Sequence, residues 1–212
     1  MRVSCFGFAL AALAVGATPC SAQGLVPAAG LSIVSARVRG TDQLTGTVVG
    51  GQGSVALGRL ELALGYVQGK IGPEGAGSPG QDLVEGVALL GVRPAPWLRV
   101  AAGPHARSYM LTGGTQLRWV FWELRVRASG AFVGSAGRGY VELWRALSAS
   151  VNAPESFDHA QGGEAGMVVH LARAPLELRL GYRIDHAVLG GGTRLETVDG
   201  MVIGVGLSGG GR

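Results

Sequence analysis

The chain is short of cysteine and lysine and of long apolar runs. Its two cysteines, Cys5 and Cys20, both fall within the first 22 residues. The remainder can therefore form neither a disulfide framework nor a cysteine-ligated metal site. Lysine occurs once, at Lys70, and arginine carries the rest of the basic charge behind a net +4. A nucleic-acid-binding chain would gather such charge, lysine included, into a stripe or tail, so nucleic acid is not an expected partner. No segment after residue 22 has 18 consecutive apolar residues, which excludes a membrane-spanning helix. His105, His159, His170 and His186 are spread out with no pair at ligand spacing, so neither a metal nor another cofactor is expected. The runs Gly162-Gly163 and Gly190-Gly191-Gly192 lack the Lys-Ser/Thr of a phosphate loop and read as loop tips.

Residues 1–22 have the three parts of a secretory signal: Arg2, an apolar run from Phe6 to Val15, and Cys20-Ser21-Ala22 before Gln23. Ala17-Thr18-Pro19 does not match the pattern that precedes a lipid-modified cysteine. About 190 residues follow, enough for one closed barrel or one domain. Glycine is abundant, 38 of 212, without a triplet period; this excludes collagen and suits strands that bend and pack closely.

What repeats is strand, turn, strand. Alternation predicts strands at 31–39, 44–57, 59–69, 82–92, 97–109, 115–130, 138–150, 162–172, 175–186 and 193–207. The connections alternate in length. Gly58, Arg93-Pro94-Ala95-Pro96, Ala131–Gly137 and Arg173-Ala174 form the shorter set. Gly40–Gln43, Lys70–Gln81, Met110–Gly114, Val151–Gln161 and Ala187–Gly192 form the longer one. Short turns at one rim and longer loops at the other suit an all-β fold: a single up-and-down antiparallel transmembrane β-barrel of ten strands, or eight if two segments are misassigned. The expected division is a signal at 1–22, a periplasmic segment at 23–30, the barrel at 31–207 and a tail at 208–212.

The faces separate by residue type. In 175–186, Leu176, Leu178, Leu180, Tyr182 and Ile184 alternate with Glu177, Arg179, Gly181, Arg183 and Asp185; the first set suits lipid and the second a polar lumen. Leu98 and Val100 oppose Arg99, His105 and Arg107, while Leu60, Leu62 and Leu64 oppose Arg59 and Glu61. The same reading sends Arg37, Arg39, Glu85, Glu123, Arg125, Arg127, Glu142, Glu164 and His170 inward. Two places resist it: Trp119 and Phe121 share phase with Glu123, and Arg145 shares phase with Leu143 and Leu147. A lipid-facing arginine near midplane costs roughly 2–4 kcal/mol, which calls for a bulge or an interfacial position at Arg145. Trp97, Trp119, Trp122, Trp144 and Tyr140 are expected to form an aromatic girdle.

On this pattern the chain resembles the small outer-membrane β-barrel proteins of Gram-negative bacteria, from about residue 31 to 207. The resemblance implies an outer-membrane location, contact with outer-membrane lipids, and delivery by periplasmic chaperones to the barrel-assembly machinery. It departs at the C-terminus, which reads Leu207-Ser208-Gly209-Gly210-Gly211-Arg212 where an aromatic residue is usual.

Three functional readings follow. The first is a structural or narrow-pore barrel, not an enzyme, with a lumen filled by an Arg/Glu network; a lumen lined mainly by arginine would instead favour anions. The second is a surface hydrolase using Asp82, Asp158, His159, Asp185 and His186 at the external rim, or Ser148 and Ser150 with His159. No motif fixes that arrangement. The third is a soluble periplasmic barrel that binds an apolar ligand between inward Leu and Val faces.

Overall fold

A computed structural model describes residues 25–40, 43–73, 80–110, 116–133, 136–153, 155–171 and 174–208. The predicted signal at 1–22 lies outside them. Ten antiparallel strands are present: β1 (Leu25–Arg39), β2 (Gln43–Leu57), β3 (Leu60–Pro73), β4 (Gln81–Ala95), β5 (Leu98–Met110), β6 (Gln116–Val133), β7 (Gly137–Val151), β8 (Phe157–His170), β9 (Leu176–Leu189) and β10 (Arg194–Ser208). Each pairs with its neighbours in the chain, and β1 pairs with β10 to close the barrel. The first strand starts at Leu25, ahead of the predicted 31, because Leu25 to Gly30 find partners in Leu57 to Gln52 of β2.

Local sequence sets the corners. Leu57 pairs with Leu60 across a two-residue turn in which Gly58 has φ +59°, a conformation that a side chain would oppose. Between β9 and β10, Gly190–Gly192 make a single 3-10 turn with three positive φ values. One extra residue, Leu147, interrupts the β6–β7 register between Ala146 and Ser148. This bulge switches the inward phase of β7 from even to odd numbers, so Ala149 and Val151 stay inside with Phe121 and Trp119.

The strands are staggered. One row of partners runs from Arg39 through Thr197, His186, Gln161, Arg145, Leu124, Ala102, Leu90, Leu62 and Val55, and returns to β1 at Pro27, twelve residues lower. A stagger of that size over ten strands tilts them by about 40° from the barrel axis. Each lateral step along the row therefore descends by about 3 Å. The core lies within the lumen.

Candidate functional site: the filled lumen and the outer wall

An ionic bolt crosses the middle of the lumen. Arg107 on β5 donates to Glu85 on β4 (2.6 Å) and to Asp185 on β9 (2.9 Å). Arg183 on β9 reaches the same two acids at 3.0 and 2.8 Å. Two guanidinium groups and two carboxylates thus close a ring between opposite walls. Each charge has a partner, as burial requires. His105, also buried, links Glu85 (3.8 Å) to Glu123 (3.1 Å). Glu123 continues through Arg125 to Glu142, which Arg127 also approaches at 3.7 Å.

Two aromatic rings organise the charges toward the shorter turns. Trp144 donates its Nε1–H to Asp185 (2.6 Å), and the guanidinium groups of Arg125 and Arg183 lie 4.8 and 5.4 Å from its ring centre. Tyr140 donates to Glu164, with Arg127 and Arg179 at 4.1 and 5.2 Å from its ring. Such contacts add cation–π attraction to the ion pairs. Room for the rings comes from glycine: a Cβ on Gly162 would sit 2.6 Å from the Trp144 ring, and one on Gly181 2.6 Å from the Tyr140 hydroxyl. Nearer the shorter turns, Glu61 holds Arg93 (2.6 Å) and Arg99 (3.4 Å), Arg179 reaches Gln52 (2.9 Å), and His170 meets Glu177 (3.2 Å). Arg93, His170 and Glu177 are partly open to solvent, so this end forms a shallow charged mouth.

The other end is apolar. Ala36, Val38, Leu44, Val48, Ile71, Leu83, Ala187, Leu189 and Val198 pack with Tyr109, Trp119 and Phe121 into one buried cluster. All belong to strand segments near the longer connections. Glu196 is buried beside this layer and accepts a bond from Tyr109 (2.7 Å). Below it lies a cavity of about 20 Å³ lined by Arg107, Trp119, Phe121, Glu123, Trp144 and Asp185 among others, space for one or two waters. The shared phase of Trp119 and Phe121 with Glu123 is thereby explained: all three face the lumen.

The outer wall has two zones. From the shorter turns upward it presents Leu, Val and Ile, including Leu31, Ile33, Leu60, Leu62, Leu64, Leu90, Leu178, Leu180, Ile203 and Val205. Toward the longer connections it turns polar, with Arg37, Arg39, Thr47, Gln68, Lys70, Asp82 and Arg118 exposed. Arg145 belongs to this wall. In the descending row it is the last polar member before Leu124 and the apolar run to Pro27, so it stands at the boundary between the zones.

These placements correct several expectations. Arg37 and Arg39 face outward, because the phase that buries Ala36 and Val38 leaves them in line with Leu31 and Ile33. Arg39 pairs there with Asp199 (2.7 Å), which also accepts the Tyr182 hydroxyl. Arg59 is exposed in the Gly58–Arg59 turn and lies outside the network. Of the expected girdle, Trp97 and Trp122 are exposed, whereas Trp119, Trp144 and Tyr140 are buried in the lumen. With Leu and Val outside and charge inside, the ligand-binding barrel with apolar inward faces does not match this wall. The rim acids and histidines are dispersed: Asp185 is locked in the bolt, His186 turns outward to Thr197 (3.1 Å), Asp158 accepts from the Gly191 amide (2.7 Å), and Asp82 is exposed opposite Lys70. The polar-network residues missing from the sequence reading are Gln52, Arg93, Tyr109, Tyr140, Trp144 and Glu196, and the apolar layer of the lumen was missed as a whole. Strand phase was the available signal, since Tyr140 and Trp144 alternate with Val141 and Leu143 around Glu142.

No family model matches the chain, and no curated protein matches it. Solved structures with similarity include Neisserial surface protein A, at 12% identity and TM-score 0.41 over 87% of this chain and 99% of that one. The β-domain of the Bordetella autotransporter BrkA is similar at 11% identity and TM-score 0.49, over 89% and 100%. An anion-selective porin from Comamonas acidovorans is similar at 15% identity and TM-score 0.36, over 77% and 49%. At these scores the strand register remains the basis of the fold assignment.

Proposed function

We propose that the protein is a bacterial outer-membrane barrel with a closed lumen, a structural element that presents its external rim and conducts no solute. The observation that carries this reading is the double filling of the lumen, an apolar layer stacked on a bolt of paired charges. The outer wall supports the membrane assignment: its apolar zone suits the band of about 25 Å that transmembrane barrels bury in lipid. The zone lies toward the shorter turns, which orients the longer connections outward. An arginine-lined anion path is disfavoured by balance. Among the described residues, the lumen ion pairs set Arg93, Arg99, Arg107, Arg125, Arg127, Arg179 and Arg183 against Glu61, Glu85, Glu123, Glu142, Glu164, Asp185 and Glu196, seven against seven, and Glu177 pairs with His170.

Single cysteines test the wall directly, because the chain has no cysteine after residue 20. In protein expressed with its leader, Leu180→Cys in the apolar zone resists a membrane-impermeant maleimide, while Gln43→Cys above it reacts. The protein fractionates with outer membranes and migrates faster on gels when unboiled. Equal labelling at both sites, or recovery in the soluble periplasm, overturns the reading.

A further inference from the structure

The polar zone of the outer wall is basic where β1, β2 and β3 meet. Arg37, Arg39 and Lys70, the chain's single lysine, are exposed there on the outer face. Threonines lie between them: Arg37 pairs in register with Thr45, and Thr47 with Lys70. Among the described residues two acids are nearby. Asp199 is buried under Arg39 and the Tyr182 hydroxyl, and Asp82 stands opposite Lys70. Immediately below, toward the shorter turns, the exposed side chains on the same three strands are apolar: Ile33 and Val49, paired in register, and Leu64 and Tyr66 on β3.

We propose that Arg37, Arg39 and Lys70, with the hydroxyls of Thr45 and Thr47, form a docking site for the phosphate of an anionic lipid headgroup in the outer leaflet. The inference rests on the membrane reading above. Cations set directly over an apolar wall match an amphiphile whose phosphate lies above its acyl chains, a complementarity that a free anion would use only in part. Guanidinium groups suit phosphate oxygens in two-point contact, and the lysine adds a point charge. Basic residues at a membrane surface also attract anionic lipid cooperatively with their number.

The test uses the refolded protein in phosphatidylcholine vesicles containing either a diphosphorylated glucosamine lipid or its dephosphorylated form. Gel mobility without boiling reports insertion, and mass spectrometry of the detergent-released protein counts retained lipid. The wild type is expected to retain the diphosphorylated lipid over the dephosphorylated one, and Arg37→Gln/Lys70→Gln to reduce retention about tenfold or more. Arg118→Gln, on the far side of the barrel, leaves retention unchanged. Inorganic phosphate at millimolar concentration does not displace the lipid; displacement would assign the site to free anions and overturn the lipid proposal. Equal retention of both lipids by inserted wild-type protein, or by wild type and double variant, overturns the docking site and leaves the membrane reading intact. Failure of the wild type to insert overturns both.

Discussion

Toward the longer connections the lumen is packed with Val38, Ile71, Leu83 and Leu189, whereas toward the shorter turns the same wall contributes Glu61, Arg99, Arg127 and Arg179. Both fillings exclude space, but they fail differently. Truncating an apolar side chain forfeits area and leaves a void, while removing one ion strands its partners in a place with little water. The ionic half is accordingly the more fragile of the two under single substitutions.

Arg107→Met breaks that half at its centre. Glu85 and Asp185 keep only Arg183 of the two guanidinium groups they share, so two buried carboxylates face one cation, and stability is expected to fall by about 3 kcal/mol, read as the urea midpoint of unfolding from lipid vesicles. The quadruple change Glu85→Leu/Arg107→Met/Arg183→Met/Asp185→Leu should recover much of that loss, since well-packed apolar groups replace buried ion pairs at little cost. Leu189→Ala probes the other half. Its side chain is fully enclosed, and the expected loss is about 2–4 kcal/mol in the same titration. Glycine sharpens the contrast within the ionic half: Gly162→Ala pushes a methyl into the Trp144 ring and should cost about 1–3 kcal/mol. A Cβ on Gly86 meets nothing within 4 Å, so Gly86→Ala stays within about 0.5 kcal/mol. On the outer wall the sign reverses: Arg145→Leu at the zone boundary should raise stability, by about 1 kcal/mol or less.

Much of this barrel was legible as alternation. Segment 97–109 placed Arg99, His105 and Arg107 on one face, and all three reach carboxylates inside. The strand count was legible too, while the alternation in connection length holds only in part: the β8–β9 connection, 171–175, is longer than the β1–β2 connection, 40–42. The errors came where two cues disagreed. In β1 the phase of Leu31 and Ile33 puts Arg37 and Arg39 outside, while their charge suggested the lumen; by that point the strand has risen past the apolar zone, so charge is tolerated on the outer wall. In β7 the aromatic character of Tyr140 and Trp144 suggested an interfacial girdle, although they keep phase with Glu142. Phase alone pointed inward; what it left out was the room across the strand pair, where Tyr140 faces Gly166 and Trp144 faces Gly162. Register between strands is long-range information, and single-strand periodicity does not contain it.

The closed lumen is tested most directly by conductance across a planar bilayer containing the inserted wild-type protein. The apolar layer over the ionic bolt predicts no discrete current steps in molar potassium chloride. Reproducible steps of constant size from the purified wild type would contradict it.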